Sequence, residues 1–200
     1  MDLSANSPER DRAALAALPT LRKLAREPGT VALTSLDLDG ATLGEAIPMR
    51  MVRLDTLRGY RAGDSPQGLL VDMGTFFYPV IAGGEVRTGM VVRRRKGKWV
   101  PSVFGQANLA KAAHDTRNQL AKSRSAKSVV LAEIPALQQL RFLAHEENGE
   151  LLLTPVEDLS PTLSNAPSLQ ANLAPGKPES AADVFAQLVP LAERTPDSIP

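Results

Sequence analysis

The sequence predicts an α+β fold: an antiparallel β-sheet with helices packed on one face, then a proline-rich C-terminal extension that ends in a short helix. Three observations carry this. Apolar runs with strand alternation meet at two-residue turns, Gly83-Gly84, Lys96-Gly97 and Asn148-Gly149, where tight hairpins need positive φ. Stretches with apolar residues at helical spacing lie on either side of the first two hairpins. Residues 155–200 hold 8 of the 16 prolines, so an extended chain is expected there. The expected division is a helical segment over 1–29, a sheet domain over 30–158, a linker over 159–179, and an amphipathic helix with its tail over 180–200.

Ser7-Pro8-Glu9 has the composition of a helix start: a capping hydroxyl, proline at the first helical position and acid in the first turn. Leu15, Leu18, Leu21 and Leu24 continue at helical spacing. Pro19 is expected to kink or split this helix, and Pro28-Gly29 to stop it. In LDLDGATL, two aspartates and a Gly-Thr pair resemble the aspartate motif of haloacid-dehalogenase phosphatases. Ala41, however, separates Gly40 from Thr42, and a downstream phosphate-binding lysine is missing. Asp37 and Asp39 also fail as a calcium loop, because Ala41 stands at a ligand position. The segment therefore reads as a turn. A strand follows over 44–54, with Met49, Met51 and Leu54 alternating against Arg50 and Arg53. Asp55 then caps a helical turn over Thr56–Arg61, and the loop 62–66 leads into Leu69–Val71.

The stretch 68–105 holds the only Trp, one of the two Tyr and three of the five Phe. Counting outward from its two turns pairs Ile81 with Val86, Phe77 with Met90, Arg94 with Trp99, Val92 with Pro101 and Met90 with Val103. Alternation then assigns Phe77, Ile81, Val86, Met90, Val92, Trp99 and Val103 to the core face. Phe76, Tyr78, Arg87, Arg93, Val100 and Phe104 fall on the other face, where aromatic rings mix with cations. Trp99 is expected to be largely buried against Arg94 or the next helix.

That helix spans 106–123, with Leu109, Ala112, Ala113, Thr116 and Leu120 on one stripe and His114 at its border. More sheet is expected over 127–155, interrupted by Pro135. His145, Glu146 and Glu147 would sit at a solvated tip turned by Asn148-Gly149. Ser180 to Asp183 resembles a capping box, and Val184, Phe185, Leu188, Val189 and Leu191 form an apolar helical face that either folds back onto the domain, the favoured expectation, or docks on a partner.

Composition narrows the chemistry. The absence of cysteine excludes disulfides, thiolate metal sites and cysteine nucleophiles. No apolar run approaches the roughly 18–20 residues of a membrane span. Residues 1–25 contain no uninterrupted apolar core and no small-residue cleavage site. As the chain stands the expected location is therefore the cytoplasm, and export would require a leader removed earlier. Nucleotide-binding glycine loops, GxSxG, HExxH and clustered His ligands are all missing, so no catalytic, cofactor-binding or metal residues are assigned. Net charge is +1, but residues 85–130 carry 11 basic and 2 acidic side chains, against 3 and 10 in residues 131–200. Either the acidic end covers the basic middle or the basic middle meets an anionic partner.

The string YPVIAGGEVRTGMVVRRRKGKWVPSVFG resembles a group of uncharacterised bacterial proteins. In these a YPV strand, a glycine turn, a V-R-(small) strand and a G-K-W strand recur. The resemblance spans residues 45–110, and the order helix, strands, helix, strands is similar to cystatin-like, PepSY-like and NTF2-like architectures. It implies an α+β domain and often export. It brings no assigned activity and transfers no catalytic residue.

Three functions follow as expectations. The first is a non-catalytic binding protein that meets a protein or peptide partner through the aromatic and arginine face, Phe76, Tyr78, Arg87, Arg93 and Phe104. The second is binding of nucleic acid or another polyanion through Arg93, Arg94, Arg95, Lys96 and Lys98 beside Trp99. The third is an enzyme with a pocket between sheet and helix.

Overall fold

The computed structural model describes residues 7–26, 37–122, 128–137, 140–156, 173 and 176–196. Contacts divide the chain into two compact halves, residues 1–48 with 74–115, and residues 49–73 with 116–200. Nine strands and four helices among the described residues make the fold α+β. The strand pairing is mixed: mostly antiparallel, with one parallel pair.

In the first half, α1 (Pro8–Arg26) starts as its sequence directs. The Ser7 hydroxyl accepts the Arg10 N–H at 3.4 Å, and the Ser7 carbonyl accepts that of Asp11 at 3.0 Å. Pro19 does not split the helix. It is exposed, and the carbonyl deprived of its donor belongs to Leu15, itself 55% exposed, so water can replace the lost bond. Pro28 and Gly29 lie outside the described residues. The LDLDG segment is a turn at Asp39-Gly40, with the Asp37 carboxylate accepting the Asp39 N–H at 3.0 Å.

β1 (Thr42–Leu43), β3 (Val71–Ala82), β4 (Glu85–Arg95) and β5 (Lys98–Gly105) form the antiparallel ladder. Gly83 and Gly84 have φ of 60° and 79°, and Lys96 and Gly97 have 49° and 78°, so both turns form where expected. Ile81 pairs with Val86, and Arg94 with Trp99. The register then departs from the expectation. Arg87 is an extra residue on β4, so Val80 meets Thr88 and Phe77 meets Val91, not Met90. Ser102 is an extra residue on β5, so Met90 meets Phe104, not Val103. Each bulge moves everything beyond it to the opposite face. The face beneath α1 is therefore Phe76, Tyr78, Val80, Met90 and Val92, with Trp99 and Phe104 packed at its margin. Phe77 and Val103 point the other way. Phe77 is nevertheless fully buried, so the second face is covered around Phe77, where cover on one face was expected, while Val103 on that face is 43% exposed. Trp99 is half-buried and belongs to the cluster under α1, so its packing partner is not the following helix. That helix, α3 (Ala107–Lys122), buries Leu109, Ala110 and Ala113.

The second half contains the parallel pair. β2 (Ile47–Met51) meets β6 (Val129–Ile134) with Met49 opposite Leu131. β6 continues antiparallel to β7 (Leu140–Glu147), β8 (Glu150–Pro155) and the short β9 (Glu179–Ser180). α2 is Leu54–Gly59, two residues earlier than expected, because Arg53 and not Asp55 is its cap. Asn148 and Gly149, at φ 53° and 84°, turn the β7–β8 hairpin, whose register runs unbroken from Glu147–Glu150 to Phe142–Pro155. His145 is thus not at a solvated tip. It lies inside β7 and is 2% exposed.

α4 (Ala181–Arg194) buries Ala181, Val184, Phe185, Leu188 and Ala192 in its own half's core. The Ser180 side chain makes no capping bond, because the residue is held instead by pairing with Leu152. At the other end Arg58 donates from Nε to the Ala192 carbonyl at 2.9 Å and from its guanidinium to the Thr195 carbonyl. A cation thereby satisfies carbonyls that the helix leaves open. Of the expected linker, Leu173 and residues 176–179 are described; Leu173 is buried in this core, and 176–178 are exposed.

Candidate functional site

The structure separates the aromatic and arginine residues that the sequence grouped. Phe76 and Tyr78 are each 2% exposed and lie beneath α1, and Phe104 is half-buried in the same cluster. Arg87 sits near the Gly83-Gly84 turn, paired with Glu85 at 3.1 Å and donating to the Ala82 carbonyl at 3.4 Å. Arg93 lies on the opposite face from the three rings, across from Thr75 and Val100. A partner could reach Phe76 only by lifting α1, and Tyr78 shows only an edge to the surface.

The second predicted group stays together. Arg93, Arg94 and Arg95 close β4, Lys96 holds the turn and Lys98 opens β5, and all five are exposed. Pairing of Arg95 with Lys98 and of Arg94 with Trp99 brings the cations within one hairpin end. Alternation puts Arg93, Arg95 and Lys98 on the face away from α1, and Arg94 on the Trp99 face. No carboxylate occurs in the sequence between Glu85 and Asp115. Among the described residues none of the five makes an ion pair. Like charges this close repel one another, and no ion pair among the described residues relieves the repulsion, which leaves it to solvent and salt there. An anionic partner would relieve it directly.

Trp99 lies at the inner border of this patch. Its ring meets the Phe76 ring edge-on, with centroids 5.5 Å apart and planes at 74°. The indole is therefore anchored in the core cluster.

A second polar cluster went unread in the sequence. Arg10, 1% exposed, stacks its guanidinium 4.0 Å above the Phe76 ring and donates from Nε to the Tyr78 hydroxyl at 2.6 Å. That hydroxyl donates to Asp11 Oδ1 at 2.6 Å, and Arg10 pairs with the same oxygen at 2.8 Å. Burial, and then the bond to Asp11, push the Tyr78 phenol well above its ordinary range, so it stays protonated as a donor. A cavity of about 360 Å³ opens beside this group, walled by Leu15, Thr42, Leu43, Glu45 and Ala46. Only the helix position of Arg10 hinted at burial: it is four residues before Ala14 on the buried stripe. Among the described residues no group of three or more acidic or histidine side chains converges to hold a metal ion. Among the described residues no helix is long and apolar enough to cross a membrane.

No family model, no curated protein and no solved structure matches this chain.

Proposed function

We propose that the protein is a non-catalytic binding protein that holds a polyanion through the end of the β4–β5 hairpin. One observation carries this reading: five exposed cations at 93–96 and 98 without an ion pair among the described residues, in a segment free of carboxylates. Surface charge normally comes with opposite charge interspersed, because an unrelieved single-sign cluster costs stability and attracts counter-ions. Intramolecular cover by the acidic end is less well supported, since the ion pairs described there are local, Glu133 with Arg141 and Glu179 with Lys177. A peptide partner on the aromatic face is also less well supported, because Phe76 and Tyr78 lie beneath α1.

The test is a gel shift with random DNA and RNA at about 150 mM salt, where non-specific binders show dissociation constants of about 10⁻⁴–10⁻⁶ M. A salt-sensitive shift in that range is expected. Joint replacement of Arg93, Arg94, Arg95 and Lys96 by Gln should abolish it without lowering the thermal melt, since all four side chains are exposed and their mutual repulsion is removed. If neither nucleic acid nor heparin binds the parent, the reading fails.

A further inference from the structure

We infer that the polyanion is double-stranded nucleic acid, held by its phosphates without reading of bases. This rests on the polyanion reading above and adds the ligand's form. The rings that the hairpin can offer decide between single and double strands. Proteins that bind single strands combine a basic track with aromatic side chains on which bases stack. This hairpin has two aromatic residues, Trp99 and Phe104, and both lie on the face beneath α1. Trp99 is locked edge-on against Phe76. The opposite face presents Arg93, Arg95 and Lys98, with Val100 across from Arg93 and Val103 farther along β5. Unpaired bases would find no platform there.

The same absence weighs against an anionic membrane. Surface-bound segments set Trp, Phe or Leu into the headgroup boundary, and the one large apolar side chain exposed on this hairpin is Val103, at 43%. A duplex needs neither stacking nor insertion. Its bases are already stacked inside, and it displays about one phosphate charge per 1.7 Å of axis. Cations two residues apart on a strand stand roughly 7 Å from one another, and cross-strand neighbours about 5 Å, which suits a ligand of high, regular charge density.

Base reading requires side chains fixed at the groove edge, chiefly Arg on guanine or Asn and Gln on adenine. Residues 86–105 contain no Asn or Gln, and nothing described orients the three arginines. Long, unpositioned cations meet phosphates as point charges, which fixes affinity but carries no sequence information.

The experiment uses the full chain and its single tryptophan as an internal reporter. Labelled duplexes of three unrelated sequences, the matching single strands, heparin, and vesicles with and without phosphatidylserine are titrated across a salt series. Duplexes should bind tightest and agree with one another within about threefold, with log K falling against log salt at a slope of about −4.5 for five contacts. Trp99 emission should stay unchanged. The triple variant Arg93→Gln, Arg95→Gln, Lys98→Gln should make that slope shallower by about three. Tighter single-strand binding with Trp99 quenched would overturn the inference. So would a hundredfold preference for one duplex, preferred binding to vesicles, or binding of heparin alone. Each of those outcomes leaves the polyanion reading standing, whereas absence of binding to every polyanion removes both.

Discussion

Each half of the molecule covers its strands with a helix that contains an exposed proline, Pro19 in α1 and Pro190 in α4, yet the volume comes from opposite sides. In the first half the strands bring the bulk, Phe76, Tyr78, Val80, Met90 and Val92, while the helix offers Ala14, Ala17 and Ala25 beside Leu18 and Leu21. In the second half the helix brings Phe185, Val184 and Leu188, and the strands present Ala132 and Ala144 among their larger residues. Small residues on one layer make room for large ones on the other. The first interface also buries a cation, Arg10, which the second does not. One seam therefore contains a buried polar network, while the other is filled by side-chain volume and is hydrogen-bonded by Arg58 at the end of α4.

That contrast can be broken at four points. The largest effect is expected at Phe185, fully buried and edge-on to Tyr60 at 6.0 Å. Phe185→Ala should cost about 3–5 kcal/mol in a urea melt, and a loss below about 1 kcal/mol would show that the second core does not depend on helix volume. Next comes Tyr78→Phe. It removes the hydroxyl that accepts from Arg10 and donates to Asp11, and should cost about 1.5–3 kcal/mol. A neutral substitution would mean that the network only fills space.

Gly89→Ala probes the face away from α1. A methyl group there would stand 2.4 Å from the Phe77 ring and 3.0 Å from the Gly105 carbonyl. A loss of about 1–3 kcal/mol is expected, partly restored by adding Phe77→Leu; no restoration would place the strain at the backbone instead. The smallest effect concerns His145. Its burial lowers the folded-state pKa, with Glu147 opposing weakly, so the unfolded chain binds the proton more readily. Stability should be complete above the unfolded value of about 6.5 and decline as pH falls below it. His145→Phe should flatten that part of the profile, and an unaltered profile would show that another group titrates there.

The turns were legible because glycine states its own backbone requirement: Gly83-Gly84, Lys96-Gly97 and Asn148-Gly149 all lie where the sequence placed them. Registers were legible only as far as the first bulge. The β7–β8 ladder has none and pairs evenly outward from its turn, whereas Arg87 and Ser102 each add a residue that no local signal marks, so Phe76, Tyr78 and Phe104 were assigned to the wrong face. The parallel pairing of β2 with β6 was hidden for a different reason. Alternation in 47–51 reports a strand but not its partner's direction. The basic hairpin was legible because charge placed at a turn remains at the surface in either register.

The β2–β6 pair also bears on how the chain reaches its native state. Met49 and Leu131 belong to the same half, but about 80 residues lie between them, and residues 74–115 of that interval form part of the other half. A two-residue turn and an 80-residue loop differ by about five doublings in length, or roughly 3 kcal/mol of closure entropy at about 0.6 kcal/mol each. The hairpins of β3, β4 and β5 can form within a short stretch, and during synthesis they emerge before β6 exists. The half that begins at Met49 must instead wait for residues past 129, with β2 unpaired to β6 in the meantime. Parallel closure of that kind is slow. The refolding rate should accordingly follow substitutions at the Met49–Leu131 contact more closely than those in either glycine hairpin.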